Sequence, residues 1–240
     1  MKGAAAPELA ACAVGAAANA QGLVDDAELL SAATRHARAY ALAALAVEEA
    51  GKAAALFVLA LMPRQLRARA PLGRLLQWHQ LKLVGGMLIA VVPFGPRTIA
   101  AQLLDMPPAQ VAEILDDAQE LAQNLDCLKQ RGLYADIEGD GQVRLPSQVT
   151  GADVPAQLGR ARRAASSASV LLDPAVQARL VDPPAEVVEF CRALVSAFAE
   201  AGYSRTPEAA ATVMLDAVSK LQEQVAGSAP SSPLTRCWLR

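Results

Sequence analysis

Apolar residues recur about every 3.6 positions along most of the chain, a spacing that predicts amphipathic helices. The pattern predicts a first helix over residues 7–31. A second helix follows, which either Ser31 or Thr34 is able to cap, and it runs to about Met62 before Pro63. The chain therefore begins with two long helices joined by a short connection.

The rest of the chain continues this helical pattern with one interruption. Residues 133–146 differ, since two short extended segments surround a glycine turn there, and Gly132 is expected to end the preceding helix. Further helices are predicted at residues 72–92, 97–104, 107–130, 153–172, 184–201 and 207–226. The predicted fold is an all-α antiparallel helical bundle with a short β-like excursion near 133–146 and additional C-terminal helices.

Three segments follow from this pattern. Residues 1–146 are expected to form the main helical domain, and residues 147–226 are expected to supply helices that pack on it. Residues 227–240 are rich in Gly, Ser and Pro and are predicted to be a flexible tail.

Composition agrees with a helical protein and narrows its function. Of the 240 residues, 53% are hydrophobic but only 4% are aromatic, which favours a core of Ala, Leu and Val. The net charge of −2 does not indicate a general nucleic-acid binder, so any phosphate-binding surface must be local. Four cysteines without a C-x-x-C pair favour reduced thiols and a cytoplasmic protein, and no apolar run reaches the ~20 residues of a membrane span.

Charged residues interrupt the second helix, which is otherwise apolar for several turns. Arg38, Glu49 and Lys52 fall nearly in phase and form one charged stripe, with Glu48 beside it. Buried charges need partners, so this stripe must meet polar groups on another helix, on a second subunit or in a cleft. Two interpretations stay open, namely an ion-pair lattice that sets helix register and direct participation in a site.

The first helix carries two polar residues on one face. Asn19 and Asp26 lie seven positions apart and so share a side of the helix, which makes them candidates to meet the charged stripe.

The third predicted helix holds a possible catalytic group. His79 and Lys82 lie one turn apart, and Arg74 precedes the histidine by five positions. Imidazole transfers protons near neutral pH, and guanidinium binds phosphate, so these residues fit metal-independent RNA cleavage. A core or interface histidine is the alternative for His79, and His36 is expected to be solvated.

Arginines in the connector before this helix are possible RNA contacts, although charges in a connector are usually only solvated: Arg64, Arg67 and Arg69. No metal-ligand series and no cofactor motif is found in the sequence, since the acidic residues Glu138 and Asp140 do not continue into a metal loop.

The order of these motifs resembles the AbiV-like abortive-infection family of the HEPN superfamily over about residues 15–146. The resemblance is carried by Asn19…Asp26, Arg38-Ala-Tyr-Ala-Leu…Glu48-Glu49-Ala-Gly-Lys52, Trp78-His79-Gln-Leu-Lys82 and Arg131-Gly-Leu-Tyr-Ala-Asp136. It implies an antiparallel helical bundle that often dimerises, a role in anti-phage defence or toxin-like growth arrest and, in many superfamily members, an endoribonuclease. The superfamily's Arg-x(4–6)-His motif falls on Arg74 and His79.

Three functions are therefore considered. The first is a ribonuclease effector in which Arg74, His79 and Lys82 act on RNA. The second is a non-catalytic interaction module that senses a phage protein or blocks a host process such as translation, and Leu75, an apolar residue directly after Arg74, favours it. The third is a nucleotide-binding regulatory domain. A homodimer is expected in each case, and an antitoxin is a further possible partner.

Overall fold

Two long helices, α1 at Ala6–Ala32 and α2 at His36–Leu61, form an antiparallel hairpin at the centre of the fold. The computed structural model describes residues 5–62, 64, 82–83, 85–86, 107, 109–110, 113, 120, 129–130, 132–137 and 143–178. The boundaries of α1 and α2 lie close to those predicted from the apolar spacing, and the helical fold class is confirmed.

The interface between α1 and α2 is built mainly from alanine. On α1, alanines at positions 13, 16, 17, 20 and 27 recur at three and four positions and are buried with Leu9 and Val24. On α2, residues are buried on nearly every side, which makes it the central helix. Because alanine side chains are small, they let the two helices pack closely.

The turn between the helices is closed by Thr34, which adopts a left-handed backbone with φ of 58°. The Arg35 N–H donates to the Leu30 carbonyl at 2.8 Å, and the Thr34 N–H donates to the Ser31 carbonyl at 3.0 Å. This is the Schellman arrangement that ends many helices. The prediction that Ser31 or Thr34 caps α2 is therefore wrong, because Arg35 occupies the N-cap position without a side-chain bond and Thr34 ends α1 instead.

Two very short strands form the β-like excursion that the sequence predicts. Strand β1 is Asp136–Ile137 and strand β2 is Val143–Arg144, and they pair antiparallel with Asp136 opposite Arg144. A 3₁₀ turn at Pro146–Gln148 follows. The helix before β1 continues through Gly132 and Leu133, so the expectation that Gly132 ends it is wrong.

Among the described residues, a third long helix, α3 at Val154–Ser169, packs on both α1 and α2 and shares their hydrophobic core. At its start, Asp153 accepts hydrogen bonds from the Thr150 backbone N–H and hydroxyl, both at 2.8 Å. These two bonds hold the pKa of Asp153 below its usual value, and the bond from the backbone N–H has the larger effect. A 3₁₀ turn at Val170–Leu172 leads into the short helix α4, Pro174–Ala178.

The remaining predicted segments are described only in part. Described positions within 72–92 and 109–130 are helical, and Pro107 is not. The predicted helices at 97–104, 184–201 and 207–226 and the tail at 227–240 lie outside the described residues. In the part of the chain that the structure describes, no helix combines the length and hydrophobicity needed to cross a bilayer.

Candidate functional site

A buried ion-pair network lies at the middle of α2 and joins three parts of the chain. Glu48 Oε1 is 2.7 Å from Lys82 Nζ, and Glu48 Oε2 accepts a hydrogen bond from Lys129 Nζ at 3.2 Å. Each carboxylate oxygen therefore has its own lysine. We call Glu48, Lys82 and Lys129 the Glu48 network.

Close backbone packing brings Lys82 to α2. A Cβ on Gly51 would collide with the Lys82 carbonyl, and a Cβ on Gly86 would collide with the Val47 carbonyl. A Cβ on Gly85 would lie 3.6 Å from the Gly51 Cα. Only glycine permits so close a crossing, so the Glu-Glu-Ala-Gly and Val-Gly-Gly sequences position the Glu48–Lys82 pair.

A similar glycine contact brings Lys129 to the other half of α2. A Cβ on Gly132 would lie 2.7 Å from the Ala37 carbonyl oxygen and 3.2 Å from the Ala41 Cβ. Gly132 follows Lys129 by three residues, and Gly86 follows Lys82 by four. In both cases the glycine lets its helix approach α2 closely and the preceding lysine reaches Glu48.

The Glu48 network is almost fully removed from solvent. Glu48 is 4% exposed, Lys82 is 8% exposed and Lys129 is 4% exposed. Removing such charges from water costs several kcal/mol per ion, and this cost is offset only by pairing in good geometry. A carboxylate held between two ammonium groups meets that requirement, so the network sets the register of both neighbouring segments on α2.

Glu49, the carboxylate next to Glu48 in the sequence, pairs with a different lysine. It pairs with Lys52 at 3.2 Å on the same helix, and their side chains are 18% and 34% exposed. Arg38, in the same predicted stripe, is exposed. The predicted stripe is thus a partly solvated face of α2, and the charge that enters the core is Glu48.

Asn19 and Asp26 are exposed on α1, whose buried side is apolar. Among the described residues, neither of them contacts the charged stripe of α2. Their helix turns alanines towards α2, and this leaves the two polar residues on the outside.

The proposed catalytic residues are only partly placed. Lys82 belongs to the Glu48 network, whereas Arg74 and His79 lie outside the described residues. Among the possible RNA contacts, Arg64 is exposed, and Arg67 and Arg69 lie outside the described residues. Their roles stay predictions.

His36 is half-buried and is therefore less solvated than expected. Its ring lies close to Gly151, where an added Cβ would be 3.2 Å from both Cε1 and Nε2. Its Nδ1 atom is buried and has no hydrogen-bond partner among the described residues. The helical phase places His36 opposite Arg38 and therefore predicts a solvated ring, but the segment before α3 lies against one side of it.

Lys129 is the member of the network that sequence reasoning missed. It lies 81 residues from Glu48 and belongs to no motif. A lysine in the last turn of a predicted helix is ordinarily explained by its favourable interaction with the helix dipole. Its pairing with Glu48 becomes visible only once Gly132 is seen to bring this helix close to α2. Within the described ranges, no three His, Cys, Asp or Glu side chains are grouped to hold a metal ion.

The order of these elements matches a known family. The HEPN_AbiV family model, described as AbiV, matches residues 8–166, which is well over half of the chain. The chain belongs to the AbiV family. No curated protein and no solved structure matches it.

AbiV membership extends further along the chain than the resemblance in sequence indicates. The match continues beyond residue 146 and includes nearly all of α3, the helix that shares the core of α1 and α2. The family assigns a general function of the abortive-infection, HEPN type.

Proposed function

We propose that this AbiV-family chain is an anti-phage abortive-infection effector that acts as a metal-independent endoribonuclease. In this proposal, the His79 imidazole accepts the proton of a ribose 2′-hydroxyl, whose oxygen attacks the adjacent phosphorus. The bond from phosphorus to the 5′-oxygen breaks, and that oxygen leaves as a hydroxyl after taking a proton from solvent water. Arg74 binds the phosphate and stabilises its developing negative charge.

The Glu48 network is the observation that carries this proposal. Lys82 lies one helical turn after His79 in the sequence and is fixed by Glu48 at 2.7 Å. A catalytic histidine needs a rigid support, since small misplacements cost large factors in rate. Because Lys82 is buried and paired, we assign it to positioning this helix instead of contacting the phosphate.

The test is cleavage of a 5′-labelled RNA by the purified full chain in the presence of EDTA. We expect products that end in a 2′,3′-cyclic phosphate, no cleavage of an RNA with 2′-O-methyl groups throughout, and loss of activity in His79→Ala. Equal cleavage by the wild type and His79→Ala would reject the proposal.

The positioning role of Lys82 has its own test. We expect Lys82→Met to lower kcat with little change in KM, because the phosphate contact of Arg74 is kept, and Lys82→Arg to restore part of the loss. Glu49→Gln is the matched control, since Glu49 neighbours Glu48 but pairs elsewhere. A raised KM in Lys82→Met with an unchanged kcat would instead indicate a phosphate contact.

A non-catalytic interaction module is the second candidate function. Exposed apolar side chains on the hairpin that contains β1 and β2 favour it, including Tyr134 at 59% and Ile137 at 67% exposed. Phage protection that survives Arg74→Ala combined with His79→Ala would support this function. Protection lost in that double variant would support the ribonuclease.

Self-association is proposed for either function. Sedimentation velocity at micromolar concentration tests it, and a single species at the chain mass of 25.0 kDa would contradict it.

A further inference from the structure

The hairpin around β1 and β2 concentrates exposed apolar surface. Seven large apolar side chains are exposed among the described residues, and five of them lie between positions 133 and 145. These five are Leu133, Tyr134, Ile137, Val143 and Leu145. Such a concentration on one small ribbon marks an interaction surface more often than scattered apolar residues do.

A glutamine side chain occupies the backbone of β2 beside this surface. Gln148 Nε2 donates to the Val143 carbonyl at 3.3 Å, and Gln148 Oε1 accepts from the Leu145 N–H at 3.1 Å. Val143 and Leu145 are two residues apart, so their backbone groups face the same side of the strand. Arg144 and Val143 both pair with residues of β1, and in an antiparallel pair the backbone groups of alternate residues face the partner strand. Because the Leu145 N–H donates to Gln148, the Val143 and Leu145 groups form the side that faces away from β1.

The Gln148 amide thus stands where the peptide group of a third strand would pair. It uses one donor and one acceptor here, as a peptide does, and protects an edge of β2 to which no other strand among the described residues pairs. The amide belongs to one exposed side chain, whereas an incoming strand would pair along the edge and place its own side chains beside those of Val143 and Leu145. The edge of β2 is therefore protected by the Gln148 amide, and an incoming strand is able to displace that amide.

We propose that the outer edge of β2 binds an extended segment of a partner protein, which displaces the Gln148 amide and adds a third strand. Strand addition of this kind takes affinity from backbone hydrogen bonds and specificity from alternate side chains. The inference does not depend on the proposed ribonuclease activity.

The residues of the hairpin indicate the chemistry of this segment. Strand β1 sets Asp136 opposite Arg144 and Ile137 opposite Val143, so an apolar–acidic–apolar sequence complements β2. A second copy of β2 fits less well. In the register that places Val143 opposite Leu145, Arg144 would stand against its own copy, and like charges directly opposite are destabilising.

The probe for the test is a fluorescein-labelled peptide, Gly-Leu-Tyr-Ala-Asp-Ile-Glu, with blocked ends, which copies residues 132–138. Fluorescence anisotropy with the full chain measures its Kd. We expect saturable binding by the wild type and about tenfold tighter binding by Gln148→Ala, because the competing amide and its two hydrogen bonds are removed. Gln21→Ala, which removes an exposed glutamine of α1, should leave the Kd unchanged.

A peptide methylated on alternate backbone nitrogens keeps every side chain but cannot pair as a strand, so it should not bind. This control needs no change in the protein. The proposal is overturned if neither the wild type nor Gln148→Ala binds the probe at millimolar concentration, or if the methylated peptide binds equally well. A dimer that Val143→Asp dissociates, without peptide binding, would identify a second copy as the occupant and also overturn it.

Discussion

Replacing Glu48 by glutamine should destabilise the fold far more than the same change at Glu49. The two residues are adjacent and chemically identical, but Glu48 is buried between two lysines and Glu49 lies on a partly exposed helix face. Glu48→Gln leaves the ammonium groups of Lys82 and Lys129 in the core without the carboxylate. Glu49→Gln leaves Lys52 able to turn towards water.

The burial of each pair determines the expected magnitude. Breaking a buried ion pair by neutralising one partner costs about 3–5 kcal/mol, because the remaining charge stays in the core. A surface pair one helical turn apart is worth at most about 0.5 kcal/mol. For a chain of this length, each kcal/mol lowers Tm by about 2–4 °C, so Glu48→Gln should lower it by roughly 6–20 °C.

Urea unfolding followed by circular dichroism measures both variants, and thermal scans give Tm. Lys82→Met completes a double-mutant cycle, in which the loss for the double variant should fall short of the sum of the single losses by about 0.5–3 kcal/mol. If Glu48→Gln costs less than about 1 kcal/mol, or no more than Glu49→Gln, the reasoning about the Glu48 network fails.

Three further predictions concern the backbone and the start of α3. Gly86→Ala should lower the free energy of unfolding by about 1–3 kcal/mol or more in urea titrations, because its Cβ would meet the backbone of α2. Gly22 faces open space, so Gly22→Ala should raise the free energy of unfolding by about 0.5–1 kcal/mol. Thr34→Gly should raise it by about 0.5–1 kcal/mol, because glycine tolerates the left-handed backbone. Asp153 stabilises the fold above its usual pKa of 3.8, and this contribution disappears as the pH falls through its lowered pKa, so Asp153→Asn should lose less stability than the wild type between pH 6 and pH 3.

Each of these has a result that contradicts it. Equal effects of the two alanine substitutions would remove the close crossing as the reason for glycine at position 86. A less stable Thr34→Gly would show that the turn is not strained. Parallel pH profiles for Asp153→Asn and the wild type would exclude a role for its carboxylate in acid unfolding.

The helices can be predicted well because their apolar spacing is a local property of the chain. The spacing predicts α1 over residues 7–31, and the helix is observed at Ala6–Ala32, while α2 ends one residue before the predicted Met62. The turn between them is predicted less well, since threonine is a common N-cap residue but Thr34 adopts a left-handed backbone conformation that is usually found at glycine.

The choice between Glu48 and Glu49 cannot be made from spacing. Helix α2 is apolar on nearly every side, so its pattern does not indicate which direction faces the core. The lysines that select Glu48 come from residues 34 and 81 positions away, and loop lengths carry no information about such pairing. The glycines at 51, 86 and 132 are visible in the sequence, but only the assembled helices reveal what they contact.

The alanine interface between α1 and α2 makes the response of this protein to mutation one-sided. A buried alanine has only a methyl group to lose, so trimming it to glycine removes little contact and costs about 1 kcal/mol, chiefly in helix propensity. A valine or leucine at the same position finds no void for its extra methyl groups, so it must push the two helix backbones apart. A saturation library across positions 13, 16, 17 and 20 should therefore retain small residues and reject bulky apolar ones, the reverse of the tolerance found in a leucine-rich core.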